Sequence, residues 1–318
     1  MKKEIITSAQ NPKIKNLLLL QEKSKARREQ GLFVVEGQRE LEHCLEAGFK
    51  VHTVFVCPAI AGEEALSSAK KIADATERAS SPAKPFLHHP ALTEASASSD
   101  SAEIYFSGQS PKNQISAPSF LRHLTHAEAP VIEIPEQLYR KVAYRESTEG
   151  IIAEVEYRAL TLENLQLPEN PLIMVLEAVE KPGNLGAVLR SADAAGADAV
   201  IICDPLTDIY NPNLIRASIG AVFTVPTVAA SSEETIGFLK ARGIQILTAQ
   251  LQDSSLYYDV DMRRGTALVM GTEATGLTQA WREAADVHIR IPMLGRLDSL
   301  NVSVSAAILL FEAVRQRQ

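Results

Sequence analysis

Six short apolar runs in the second half of this chain, at 172–176, 199–202, 222–228, 244–249, 267–270 and 287–291, alternate with stretches of helical periodicity. Runs of this length suit strands buried on both faces and are too short for buried helices. Their alternation predicts an α/β fold with a parallel sheet of about six strands. The clearest unit reads as a strand over 172–176, a turn over 181–186, a helix over 187–195 and a returning strand over 199–202.

The segments that follow two of these runs are more polar than a plain sheet requires. After 267–270 comes Gly271-Thr272-Glu273-Ala274-Thr275-Gly276-Leu277, two glycines flanking an acid at a strand end, where backbone can approach a ligand closely. After 287–291 come Pro292-Met293-Leu294-Gly295, then Ser299-Leu300-Asn301-Val302-Ser303, then an apolar helix pattern over 304–317. Asn301 and Ser303 suit an N-cap, and Val304, Ala307, Ile308, Phe311 and Val314 recur at three- and four-residue spacing, predicting one stripe facing inward. A capped helix alone does not need Pro292, Gly295 or Ser299, so these residues point to a backbone pocket for a flat, polar ligand. A dinucleotide site is the competing reading, because a strand, a glycine turn and a helix precede Asp204 by about 20 residues. Gly183 and Gly186 do not complete the G-x-G-x-x-G pattern, however, and Arg190 has no use in such a turn.

Taken together, the segments resemble the SpoU (TrmH-like) branch of the SPOUT RNA 2′-O-ribose methyltransferases. Asn184-x-Gly186-x-x-x-Arg190-Ser191-Ala192 matches its first motif and Gly271-x-Glu273-x-x-Gly276-Leu277 its second. Ile291-Pro292-Met293-x-Gly295 with Ser299-Leu300-Asn301-Val302-Ser303 matches its third. The resemblance implies a parallel sheet closed by a deep trefoil knot, a homodimer, and S-adenosylmethionine held by backbone near Thr248, Ala249, Gly271, Ile291, Met293 and Leu300, with Gly295 allowing close approach. It implies Arg190 as the group acting on the ribose hydroxyl. A guanidinium holds its proton too firmly to be a free base, so its expected work is to grip a phosphate and stabilise the forming alkoxide. Asn184 is expected to orient Arg190 or the ribose, Glu273 to act in catalysis or hold its loop, and Ser299 and Asn301 to fix the third loop or contact ligands. No metal is required.

Ile6-Thr7-Ser8, Asn11-Pro12-Lys13-Ile14-Lys15 and Phe33-Val34-Val35-Glu36-Gly37 resemble the start of the small α/β substrate-binding domain that precedes the catalytic domain in this family. The expected division is 1–160 and 171–318, joined by a polar, Pro-punctuated link. Small polar residues mark an insertion over about 62–129, with an Ala-rich helix over 63–79. Thr148-Glu149-Gly150-Ile151 departs from the Pro-Gln-Gly pattern of many relatives.

The net charge of −7 argues against broad nucleic-acid affinity, yet residues 1–30 carry a local balance of +5, eight basic residues against three acids. Lys13, Lys15, Arg27 and Arg28 are therefore expected to meet RNA, either ribosomal or transfer. Cys44, Cys57 and Cys203 lack metal or disulfide spacing and read as free thiols, and His88-His89 reads as surface loop. Neither a signal peptide nor a membrane span is legible, which predicts a cytoplasmic protein. Two other functions remain open: a noncatalytic RNA-binding protein of the same fold, and the nicotinamide-dependent oxidoreductase of the dinucleotide reading.

Overall fold

A computed structural model describes residues 4–61, 129–144, 149–158, 160–272, 275–296 and 299–318. Two sheets organise them. The first is mixed and five-stranded, in the order β1-β4-β3-β5-β2, from β1 (Glu4–Ile5), β2 (Leu32–Glu36), β3 (Val51–Val56), β4 (Val131–Glu133) and β5 (Ile151–Glu156). The second has seven strands in the order β10-β12-β9-β11-β6-β7-β8, from β6 (Leu172–Glu177), β7 (Ala199–Cys203), β8 (Thr227–Ala230), β9 (Gln245–Ala249), β10 (Ser255–Leu256), β11 (Thr266–Met270) and β12 (Val287–Arg290). Every pairing in it is parallel.

The second sheet is covered on both faces, which is why its strands read as unbroken apolar runs. Alternate residues part to opposite sides. Met174, Leu176, Val200, Ile202 and Leu268 join the Pro182–Ala194 and Val302–Arg317 helices through Leu185, Leu189, Leu309 and Leu310. Ile173, Val175, Ile201 and Val269 join the Ser232–Ala241 and Gln279–Ala284 helices through Phe238, Leu239 and Trp281. The first sheet sends Val34, Phe55, Ile132 and Ile152 into its own core with Ile14, Leu17 and Leu20. Its other face, with Phe33, Val35 and Val54, is continuous with the core of the large sheet.

Three expectations need correction. The first helix of the large sheet begins at Pro182 rather than near 187, so Gly183, Asn184 and Gly186 lie in its opening turns; proline at the first helical position lacks only an N–H that had no partner there. The 222–228 run is not one strand but a short helix, Ala221–Thr224, followed by β8. Pro226 holds Val225 extended and separates the two. The stripe expected on the C-terminal helix is only partly the packed face: Val314 packs against the core and Ala307 and Ile308 are half-buried, but Val304 and Phe311 turn outward. Val302, Ala306, Leu309, Leu310 and Ala313 are buried, whereas Val304 and Phe311 are 47% and 48% exposed. Periodicity locates a face without saying which of two apolar faces packs. The expected 63–79 helix, His88 and His89 lie outside the described residues. All three cysteines are buried free thiols, and no described helix is long and apolar enough to cross a membrane.

Candidate functional site

The carboxyl ends of β12, β9, β11 and β6, neighbours in the sheet, bring the expected ligand loops side by side. Ile289 pairs with Ala249, Thr248 with Val269, and Met270 with Leu176. Thr248–Ala249, Gly271 and Ile291 therefore leave the sheet at one edge, where open parallel sheets bind their ligands. Ala249 and Ile291 are half-buried against the main core. Thr248 is buried in a central strand, paired with Val269 on one side and His288 on the other, and its Oγ1 is taken up by His288 Nδ1 at 2.6 Å, so it shapes the floor of the site while Ala249 and the loop beyond it face any ligand.

The Gly271–Leu277 loop turns back on itself. A Cβ on Gly271 would fall 2.3 Å from the carbonyl of Gly276, so only glycine fits there. Thr272 and Gly276 form a bridge, and Thr275 N–H donates to Thr272 Oγ1 at 3.1 Å. Glu273 lies outside the described residues. The anchor of the loop's far end is Glu177, buried at the end of β6, which accepts from Thr278 N–H at 2.9 Å and Thr278 Oγ1 at 2.6 Å. Arg282 Nε adds a bond to the Leu277 carbonyl at 3.2 Å. A carboxylate ending an apolar run was the sequence signal for Glu177, and the strand reading stopped one residue short of it.

On the opposite side, Asn301 joins the first and third motifs. Its Oδ1 caps the C-terminal helix by accepting from Ser303 N–H at 3.0 Å, and its Nδ2 donates to Asn184 Oδ1 at 3.2 Å. Asn184 therefore braces the third loop. It does not share a face with Arg190, because six residues in a continuous helix place two side chains about 120° apart. Gly186 is a packing glycine, since a Cβ there would lie 2.5 Å from Ala217 in the neighbouring helix. Arg190 is exposed and makes no hydrogen bond or ion pair with the described residues. Met293 is half-buried; Gly295, Ser299 and Leu300 are exposed, and open space surrounds Gly295.

The basic N-terminal residues divide. Lys13, Lys15 and Arg28 are exposed, and Lys13 pairs with Glu4 at 2.7 Å. Arg27 cannot meet RNA as expected: it is 1% exposed, with Nε on Asp208 Oδ2 at 2.7 Å and Nη1 on the Leu20 carbonyl at 2.7 Å. Glu149, in the segment that departs from the Pro-Gln-Gly pattern, accepts from the Gln38 backbone N–H. Asp204, the acid of the dinucleotide reading, is engaged by Ser232 Oγ at 2.5 Å.

Residues 171–311 match the model of the SpoU rRNA Methylase family, and residues 11–82 that of the MRM3-like substrate binding domain. The 23S rRNA (guanosine-2′-O-)-methyltransferase RlmB of Ralstonia nicotianae is 35% identical over 220 residues, 68% of this chain and 88% of the relative. This chain belongs to the SpoU rRNA methylase family. Its relative in Bordetella pertussis, also a 23S rRNA (guanosine-2′-O-)-methyltransferase RlmB, is 41% identical over 54% of this chain and 71% of its own length. Among solved structures, an RNA 2′-O ribose methyltransferase superposes with TM-score 0.71 at 34% identity, covering 98% of this chain and 99% of the other. An AdoMet-bound rRNA methyltransferase from Sinorhizobium meliloti gives 0.74 at 26% identity, covering 99% and 98%. The SpoU chain is thus an S-adenosylmethionine-dependent RNA methyltransferase, and the oxidoreductase reading falls.

The residues at the sheet edge fit that cofactor. Gln250, which follows Ala249 and is bonded through its N–H to the Ile289 carbonyl, has a covered Oε1 with no hydrogen-bond partner among the described residues. A covered acceptor left unpaired suits a ligand that brings a donor. Sequence reasoning missed Gln250 because a polar residue just past a strand end is unremarkable until its burial is known.

Proposed function

We propose that this SpoU chain methylates the 2′-hydroxyl of a ribose in ribosomal RNA, with cofactor on the loops after β9, β11 and β12. The convergence of these loops on Arg190's helix, fastened by the Asn184–Asn301 bond, carries the reading. S-adenosylmethionine supplies a methyl group already activated on a sulfonium. The protein's work is to hold donor and hydroxyl in line and to favour loss of the hydroxyl proton. Arg190, exposed and unpaired among the described residues, grips an RNA phosphate with its planar fork and stabilises the forming alkoxide. Ser299 and Leu300 lie exposed beside Asn301 to meet the target nucleotide or cofactor. Glu177 and Arg282 hold the second loop.

Residues 1–160 present the RNA, with Lys13, Lys15 and Arg28 exposed to meet it. The chain path favours a trefoil knot. After β12, on the far side of β9, the C-terminal helix returns to pack against β11, β6 and the Pro182–Ala194 helix. The exposed apolar face at Val304 and Phe311 suits a homodimer, and Val304 follows Leu300 by only four residues.

Transfer of labelled methyl from S-adenosylmethionine to unmodified RNA, separated into ribosomal and transfer fractions, tests the reading. Label is expected in the ribosomal fraction, at ribose, and lost in Arg190→Ala. Label in transfer RNA alone would overturn the substrate. Binding of cofactor and RNA without transfer to either fraction would favour the noncatalytic reading.

A further inference from the structure

Gln250 follows directly on β9, and its placement is fixed from two directions. Its backbone N–H donates to the Ile289 carbonyl at 3.0 Å, tying it to the rim of β12, and its Nε2 donates to the Gln252 carbonyl at 3.0 Å. The second bond also sets which way the amide faces. Turned over, Oε1 would oppose the Gln252 carbonyl oxygen, acceptor against acceptor, and an N–H would be covered and unpaired instead. Among the described residues, one acceptor is therefore left covered and unpaired at the edge where the β9, β11 and β12 loops meet. Such an atom has lost its water without gaining a partner, and a ligand that offers a neutral donor recovers that loss.

We propose that Gln250 Oε1 accepts a hydrogen bond from the exocyclic amine of the cofactor's adenine, which makes this side chain a nucleobase-specificity determinant. The proposal rests on placing S-adenosylmethionine at these loops. Chemistry selects the donor. The methionyl ammonium brings a charge and three donors that one neutral amide oxygen does not balance, and a ribose hydroxyl both donates and accepts, so a lone neutral acceptor matches best a neutral group that only donates. The adenine amine only donates, and side-chain amides complement that edge of adenine where it is read in the DNA major groove. Hypoxanthine places a carbonyl oxygen at the same position, where it would face Oε1 as a second acceptor.

Calorimetric titration of the full chain with S-adenosylhomocysteine and with S-inosylhomocysteine, in wild type and Gln250→Leu, tests the assignment. Wild type is expected to prefer the adenine ligand by roughly tenfold or more. Gln250→Leu should weaken the adenine ligand by roughly tenfold and leave the inosine ligand within about twofold. Gln250→Met, closer in shape, should behave alike, and the rise in Tm given by saturating S-adenosylhomocysteine should shrink in both variants while their unliganded Tm stays at the wild-type value. Equal weakening of both ligands, or of neither, would overturn the assignment while leaving the cofactor site in place. Failure of wild type to bind either ligand would overturn the cofactor site and the assignment together.

Discussion

Arg190 is exposed on the third turn of its helix and makes no bond with the described residues, so the folded protein offers it nothing to lose. Replacing it should leave stability and cofactor affinity near wild type and act on turnover. Arg190→Ala is expected to cost about 10²–10³ in the single-turnover rate, as loss of a transition-state donor does. Arg190→Lys keeps the charge without the planar fork and should recover little. Near-wild-type turnover in the lysine variant would show that charge alone suffices. Buried acids behave in the opposite way. Burial pushes the Cys203 thiol up to about 12 and raises Cys44, Tyr157 and Tyr210 in the same direction. The fold holds these protons more tightly than the unfolded chain does. Their contribution is complete below the ordinary thiol value of 9.0 and is lost as pH climbs from there toward the folded values. Urea unfolding at pH 10.5 should therefore begin earlier than at pH 7.5. The native thiols should resist alkylation at pH 8 and react only on unfolding.

At the scale of elements, the loops are held by neighbours far away in sequence. Glu177 anchors Thr278 across 101 residues, and Asn184 meets Asn301 across 117. Glu177→Ala leaves Thr278 N–H without its carboxylate and should cost about 2 kcal/mol of stability. It should raise the KM for S-adenosylmethionine more than it lowers kcat, and Glu177→Gln should restore part of both. A kcat effect with unchanged KM would place Glu177 in the chemistry instead. Asn301→Ala removes a helix cap and should cost about 1 kcal/mol. These pairs also mark what the sequence could and could not disclose. The apolar runs gave away the parallel sheet because burial on both faces leaves no other composition, and the fixed glycines and Asn301 marked the loops. Glu177 and Gln250 stayed hidden because their significance lies in which atoms are covered and by what. The two faces of the C-terminal helix are equally apolar, so only packing distinguishes Leu309 and Leu310, inside, from Val304 and Phe311, outside. Phe311→Glu should then leave the monomer folded and abolish pairing, read by light scattering. A monomeric wild type would sink the interface.

Over the whole molecule, the two sheets do not behave as modules joined by a loose tether. Phe33 of β2 stacks on Tyr210 at 4.3 Å, Phe49 meets Phe223 edge-on at 5.3 Å, and Tyr157 meets Tyr210 at 4.8 Å. Arg27 and Asp208 form an ion pair across the same junction, both nearly fully buried. Removing one partner strands the other charge in a covered site. Arg27→Met is expected to cost roughly 3–5 kcal/mol, and Arg27→Met with Asp208→Leu much less, since a buried pair contributes little over an apolar replacement that fills the same space. Equilibrium denaturation of the two singles and the double closes this cycle. If the single variant unfolded in two separate transitions, the junction would be the weaker part and the sheets independent. A single shifted transition is expected, because one core runs through both sheets. On the proposed reading, in which Lys13, Lys15 and Arg28 meet RNA and Arg190 acts on the ribose, these residues stand in a fixed relation, so an RNA held at one end would have its target ribose set at the other without a closing motion. The double variant, folded but lacking the charged clamp, should therefore retain methyl transfer.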